Sequence, residues 1–143
     1  MLQSPALNAS NIVLMAEEGA SLSRGSLRLY AQLVPNVDDQ EPRMVGSIEL
    51  YAYDPINHRA AVCIMVSQPL RRQGYGTAML KALDIMAINT FKLHQLYCDI
   101  AVLNRASMAL FTAVGYEQCG LMRQWVVVAN QYTDCVRMQR LLQ

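Results

Sequence analysis

Apolar and polar residues alternate along two early stretches, 27–34 and 44–53, and a period of two predicts a pair of strands. The segment between them, 35–42, collects proline, asparagine and acidic residues and reads as a solvated loop, so the two strands are expected to pair antiparallel. In the second stretch Val45, Ser47, Glu49, Tyr51 and Tyr53 fall on one face, read as the polar one. Met44, Ile48, Leu50 and Ala52 fall on the other. After a turn at 54–57, residues 59–67 form an apolar, partly β-branched run that suits a buried central strand ended by Pro69. From 74 to 91 the period changes to that of a helix, with Met79, Leu80, Leu83, Ala87 and Phe91 on one side. A strand over 95–103 follows, and strand, helix, strand at this spacing describes a right-handed parallel crossover. Residues 105–114 read as a short helix closed by Gly115, and 121–128 with 132–141 as a closing hairpin around Ala129, Asn130 and Gln131. The first twenty residues carry little pattern beyond a short helix from Asn11 to Gly19. The sum is an α/β (α+β) chain with a mixed, mostly antiparallel sheet.

Length and composition narrow this to one domain, since 143 residues with 53% hydrophobic and 16% charged content fill a single core. A net charge of +1 gives no long-range field toward nucleic acid or an anionic membrane, and neither is expected as a partner. Ten of the twelve basic residues are arginines, whose planar fork of donors suits local phosphate contacts. Cys63, Cys98, Cys119 and Cys135 form no Cys-x-x-Cys pair, and His58 and His94 have no third ligand spaced to join them, so no metal site is expected. With no secretory leader and no apolar stretch long enough for a bilayer, the expected compartment is the cytosol.

The most informative segment is Leu70-Arg71-Arg72-Gln73-Gly74-Tyr75-Gly76-Thr77, set between a strand and a helix. The first amides of a helix lack intrahelical partners and the macrodipole adds about half a positive charge, so such a turn suits a pyrophosphate. Gly74 and Gly76 let the backbone approach, and Arg71 or Arg72 can add a charge-assisted contact. Glycines at a strand-to-helix turn also occur for backbone geometry alone. A Walker loop is absent, and Met79 stands where a dinucleotide fingerprint needs its third glycine, which speaks against nucleotide hydrolysis and hydride transfer.

Arg71, Gly74 and Gly76 fill the pattern Gln/Arg-x-x-Gly-x-Gly/Ala, and here the sequence resembles the GNAT superfamily of N-acetyltransferases. The likeness runs from about Leu27 to Leu142. It is carried by Gly46-Ser47-Ile48-Glu49-Leu50, Asn57-His58-Arg59-Ala60, Leu93-His94-Gln95-Leu96-Tyr97, Asn104-Arg105-Ala106-Ser107, Leu110-Phe111-Thr112-Ala113-Val114-Gly115-Tyr116 and Tyr132-Thr133-Asp134. It is similar to the branch holding bacterial spermidine and diamine acetyltransferases and ribosomal-protein N-terminal acetyltransferases. The resemblance implies a splayed parallel strand pair at an acyl-CoA site and acetyl-CoA as co-substrate. Backbone around Ile64, Met65 and Val66 would meet the pantetheine arm and thioester. Arg71, Arg72, Gln73, Gly74, Tyr75, Gly76 and Thr77 would hold the pyrophosphate, and Asn104, Ser107 and Phe111 would lie along the cofactor arm. Asn104 also suits a plain helix cap. Such families carry a strand and a helix ahead of the first strand read here, and the chain is expected to lack them.

Acetyl transfer to a primary amine, by direct attack through a tetrahedral intermediate, needs a deprotonated amine, a stabilised oxyanion and a proton for the departing thiolate. An amide near Met65 or Val66 is expected to meet the oxyanion. Glu49 and Asp99 are the candidates for accepting the amine proton through water, with a solvated or salt-bridged carboxylate as the alternative for each. Phe111 stands where many relatives have the tyrosine that donates to the thiolate. A thiol pKa near 8.5 leaves activity possible without it, and Ser107 with water is the substitute candidate. Ala52 and Ala61 replace glutamates of the polyamine enzymes. Tyr51, Tyr53 and Trp125 can shape an amine pocket or simply pack. The expected partners are acetyl-CoA and a small amine or diamine, with a homo-oligomer left open. Acetylation of protein N-termini and a catalytically silent acyl-CoA-binding module are the alternatives.

Overall fold

The computed structural model describes residues 11–35 and 41–142. Seven strands form one sheet in the order β1-β2-β3-β4-β5-β7-β6. They are β1 (Ile12–Met15), β2 (Leu27–Leu33), β3 (Arg43–Asp54), β4 (Arg59–Val66), β5 (Gln95–Ala101), β6 (Glu117–Val128) and β7 (Gln131–Leu141). All neighbours are antiparallel except β4 and β5, which are joined through helix α1 (Tyr75–Asn89) as the crossover pattern requires. Helix α2 (Arg105–Ala113) leads from β5 into the closing hairpin. The loop expected over 35–42 falls largely outside the described residues.

Ile48, Leu50, Val62, Leu96 and Met138 turn to one side of the sheet and join Met79, Leu83 and Phe111 in a single core. Phe91 packs against that core from just beyond the end of α1. Both helices therefore cover the same face. The opposite face carries the alternate residues, among them Glu49, Tyr51, Tyr97, Asp99 and Arg137, and is polar as the period-two reading expects.

Four local expectations are corrected. The helix expected from Asn11 to Gly19 is a strand over Ile12–Met15, paired antiparallel with β2, because Ile12 and Leu14 have a hydrophobic face to bury that one short helix would not fill. Between this strand and β2 the described residues form one turn of 3-10 helix over Leu22–Arg24. In β3 the pairs Ala31 with Gly46 and Gln32 with Met44 leave Val45 without a partner, a β-bulge that swaps the two faces. Val45 is thus fully buried and Met44 exposed, the reverse of strict alternation. A second irregularity between Tyr51 and Asp54 puts Ala52 in a left-handed conformation at φ 48° and turns it to solvent. Finally, β6 begins at Glu117, four residues earlier than expected, since irregularities at Gln118/Gly120 and Met122/Val126 break its two-residue period.

Candidate active site

β4 and β5 touch at one end only. Their parallel register covers Arg59 with Gln95, Ala60 with Leu96 and Ala61 with Tyr97, and then stops. The closed end begins at the His58 carbonyl, which accepts the amides of His94 at 2.7 Å and Gln95 at 3.3 Å. Beyond Ala61 the strands separate, and β4 continues to Val66 bonded to β3 alone. The expected splay is therefore present, and the expectation of a uniformly buried strand over 59–67 holds only for Ala60, Ala61 and Val62.

The direction of the main-chain groups follows from a single bond. Ser67 N–H donates to the Val45 carbonyl at 2.9 Å, so the alternation of an antiparallel ladder turns Cys63 and Met65 toward β3 and Ile64 and Val66 into the gap. Across the gap, Val102 N–H donates to Asp134 on β7 at 3.0 Å, which by the same rule leaves the backbone of Asp99 and Ala101 facing β4. Of the two amides expected to meet an oxyanion, only that of Val66 faces the gap; the Met65 amide belongs to the β3 ladder.

The turn from Arg71 to Gly74 brings the chain from this open end into α1. Gly74 is the N-cap at φ 86°, a conformation that favours glycine, and no side chain caps the helix. The first intrahelical bond runs from Ala78 N–H to the Gly74 carbonyl, so the amides of Tyr75, Gly76 and Thr77 lie ahead of the helical ladder. Arg71 Nε donates to the Val66 carbonyl at 3.0 Å, tying the turn to the strand end, and Gln73 Nε2 donates to the Pro69 carbonyl at 3.3 Å. Arg72 stands exposed beside them. Gly76 also meets a packing need: a Cβ there would stand 3.0 Å from Leu110 Cδ2, so this glycine lets α1 approach α2. Tyr75 is buried at the start of α1.

Asn104 caps α2, its Oδ1 accepting the Ser107 amide at 3.1 Å, and its own amide donates to the Ala101 carbonyl at 2.8 Å. Ser107 is half-buried in the first turn of α2. Phe111 is buried and packs edge-to-face on Tyr116, ring centroids 4.8 Å apart.

Both candidate carboxylates are paired. Glu49 Oε2 accepts from Arg28 at 2.7 Å on the exposed side of the sheet, directly across from Cys63. Asp99 is held bidentate by Arg137, at 2.8 Å to Nε and 2.9 Å to Nη2, and that hydrogen bonding raises the Arg137 pKa. The same guanidinium lies 4.7 Å from the centre of the Tyr97 ring. Tyr51 is pushed up in pKa first by burial and then by the Asp99 charge. Arg28 and Arg137 lie in no motif of the sequence; they are found only by asking which β2 and β7 positions oppose Glu49 and Asp99. Ala61 is buried in the closed end of β4. Trp125 is exposed on the edge strand β6. Among the described residues no cluster of three or more His, Cys, Asp or Glu is placed to hold a metal, and no helix is long and apolar enough to cross a membrane.

The same architecture recurs in known proteins. Spermidine N(1)-acetyltransferase of Vibrio cholerae is 24% identical over 103 residues, covering 71% of this chain and 59% of the relative, so the chain spans less than two thirds of that curated relative's length. A solved structure of spermidine N-acetyltransferase from Vibrio cholerae in complex with CoA and spermine superposes with a TM-score of 0.79 at 16% identity, over 93% of this chain and 96% of that one. A dodecameric structure of the enzyme from the same organism gives 0.72 at 19%, over 82% of this chain and 66% of that one. At such identities these structures show the shared fold. The sequence model of the acetyltransferase (GNAT) domain matches residues 16–117, well over half of the chain, and the protein with this one-ended strand pair belongs to the GNAT family.

Proposed function

We propose that the chain is an acetyl-CoA-dependent N-acetyltransferase acting on a small primary amine. The observation that carries this reading is the open end of β4, where the backbone of Ile64 and Val66 faces a gap that leads to the uncapped start of α1. Acetyl-CoA fits this arrangement because its amide-bearing arm can complete the ladder that β5 leaves unmade, while its pyrophosphate meets the amides of Tyr75, Gly76 and Thr77. Arg71, already anchored through Nε, keeps its terminal nitrogens for the phosphates, with Arg72 beside it. The family membership and the likeness to an acetyltransferase solved with CoA support the same ligand.

Acetyl-CoA supplies the acetyl group as a thioester. The amine nitrogen bonds to the carbonyl carbon, the carbon–sulfur bond breaks, one proton leaves the amine and one reaches the sulfur. The Val66 amide is the donor placed for the carbonyl oxygen as it becomes negative. Glu49 is the carboxylate that takes the amine proton through water, as its partner Arg28 is a surface residue that can yield. Asp99, gripped at both oxygens, holds Arg137 and leaves the proton work to Glu49. Asn104 shapes the mouth of the gap by capping α2, and Ser107 with water serves the thiolate. Alanine stands at 52 and 61, where the resemblance implies glutamates in polyamine enzymes, and this lack of carboxylates supports a short amine or diamine as acceptor. The likeness to a dodecameric relative supports assembly of several copies.

A thiol-release assay with acetyl-CoA and a panel of primary amines tests the proposal. Release that depends on the amine supports it. Tight CoA binding with no release on any amine or N-terminal peptide points to the silent acyl-CoA-binding module that Phe111 suggests, and no binding at all removes the reading.

A further inference from the structure

We infer that Gly46 is a positioning residue that keeps the open end of β4 clear of β5, so that the slot exists; this rests on the acetyl-CoA reading of that slot. A Cβ built at Gly46 would overlap the Met65 carbonyl oxygen and stand 3.1 Å from Val66 Cα. Both are backbone atoms, which cannot swing aside as a side-chain end can. Gly46 is absent from the positions with positive φ, so what it supplies is space and not a special conformation. β3 lies on one side of this segment and the gap on the other, so a side chain at Gly46 moves Met65 and Val66 off their place along β3 and, within the sheet, the space left to move into is the gap toward β5.

The neighbourhood is built to hold that strand end in place. The bulge at Val45 turns its carbonyl to the Ser67 amide at 2.9 Å, immediately beside Gly46. Arg71 Nε holds the Val66 carbonyl at 3.0 Å from the other end of the segment. Glycine and bulge thus act together, one admitting β4 close to β3 and the other bonding it there.

Calorimetry with acetyl-CoA on the parent, Gly46→Ala, Ser67→Pro and Leu22→Ala, at a temperature where each is folded, tests the inference. Gly46→Ala should bind at least about tenfold more weakly, a change of about 1.4 kcal/mol. Ser67→Pro removes the amide bonded to Val45 while its φ of −54° already suits proline, and it should weaken binding in the same direction. Leu22→Ala removes buried packing beside Met86 and Phe91, at the end of α1 opposite the Gly74 turn, and should lower the melting temperature without changing affinity, which separates positioning from general stability. Folded Gly46→Ala that binds like the parent overturns the inference. If that variant fails to fold, parent-like binding by Ser67→Pro overturns it instead. A parent that binds no acetyl-CoA overturns the reading of the slot, and the role of Gly46 falls with it.

Discussion

The two ends of β4 follow opposite rules within eight residues. At the first end Ala60 and Ala61 are bonded on both sides, covered above and below, and small enough for the strands to close over them. At the second end the strand keeps one neighbour, its backbone opens into a gap, and Met65 is 63% exposed. Unpaired main-chain groups are costly when buried, so a strand persists half-paired only where water or a ligand completes it. The closed end contributes stability and the open end is available for recognition.

That division predicts the largest effect at the closed end. Leu96→Ala, in the paired part of β5, should cost about 2–5 kcal/mol in urea unfolding and leave acetyl-CoA affinity of the folded fraction unchanged, while Met65→Ala should change stability by under about 0.5 kcal/mol. Equal costs at the two sites would erase the distinction. At the open end, Gly74→Val forces a β-branched residue to φ 86°, and calorimetry should show acetyl-CoA affinity reduced by about a hundredfold or more. Unchanged affinity in the folded variant would remove the phosphate turn from the site.

Smaller effects sharpen the assignment of chemistry to the open end. Glu49→Gln should lower turnover by about 10² while sparing acetyl-CoA binding; turnover unaffected across a pH series would make Glu49 structural. Phe111→Tyr should give equal or modestly faster turnover in a thiol-release assay, and a loss of activity would mean that the ring, packed on Tyr116, has no link to proton transfer. The cysteines should show no effect at neutral pH beyond reactivity. Cys63 and Cys119 are exposed and should be alkylated by iodoacetamide in the native protein, as read by intact mass, whereas Cys98 and Cys135 should resist until unfolding. Burial pushes the Cys98 thiol up to about 12. A folded value above the unfolded one means that its contribution is complete below the ordinary thiol range and is lost as pH rises toward about 12, so Cys98→Ala should flatten the alkaline decline in stability.

Most strands and both helices were legible because one face of each is apolar and the period shows, as in Leu27–Leu33 or the Met79, Leu80, Leu83 and Ala87 stripe. What escaped was wherever the period is interrupted. Val45 and Ala52 changed faces at irregularities of β3, and β6 lost its alternation at two such points, because a bulge shifts parity without any distinct residue type to announce it. The turn at Gly74 was legible from its letters and its place between strand and helix. The need for space at Gly46, the helix contact at Gly76 and the bidentate grip of Arg137 on Asp99 depend on contacts distant in sequence. The motif at 46–50 marked the neighbourhood of Gly46 without giving its reason.

Amide NMR during titration with acetyl-CoA tests the open end of β4 most directly, since it reports each main-chain group separately. The predicted result is that the largest shifts fall on Ile64 and Val66 and on Tyr75, Gly76 and Thr77, with little change at Ala60, Ala61 and Leu96. Shifts concentrated at the closed end, or none at saturating acetyl-CoA, would contradict the assignment of the gap and the α1 turn as the cofactor site.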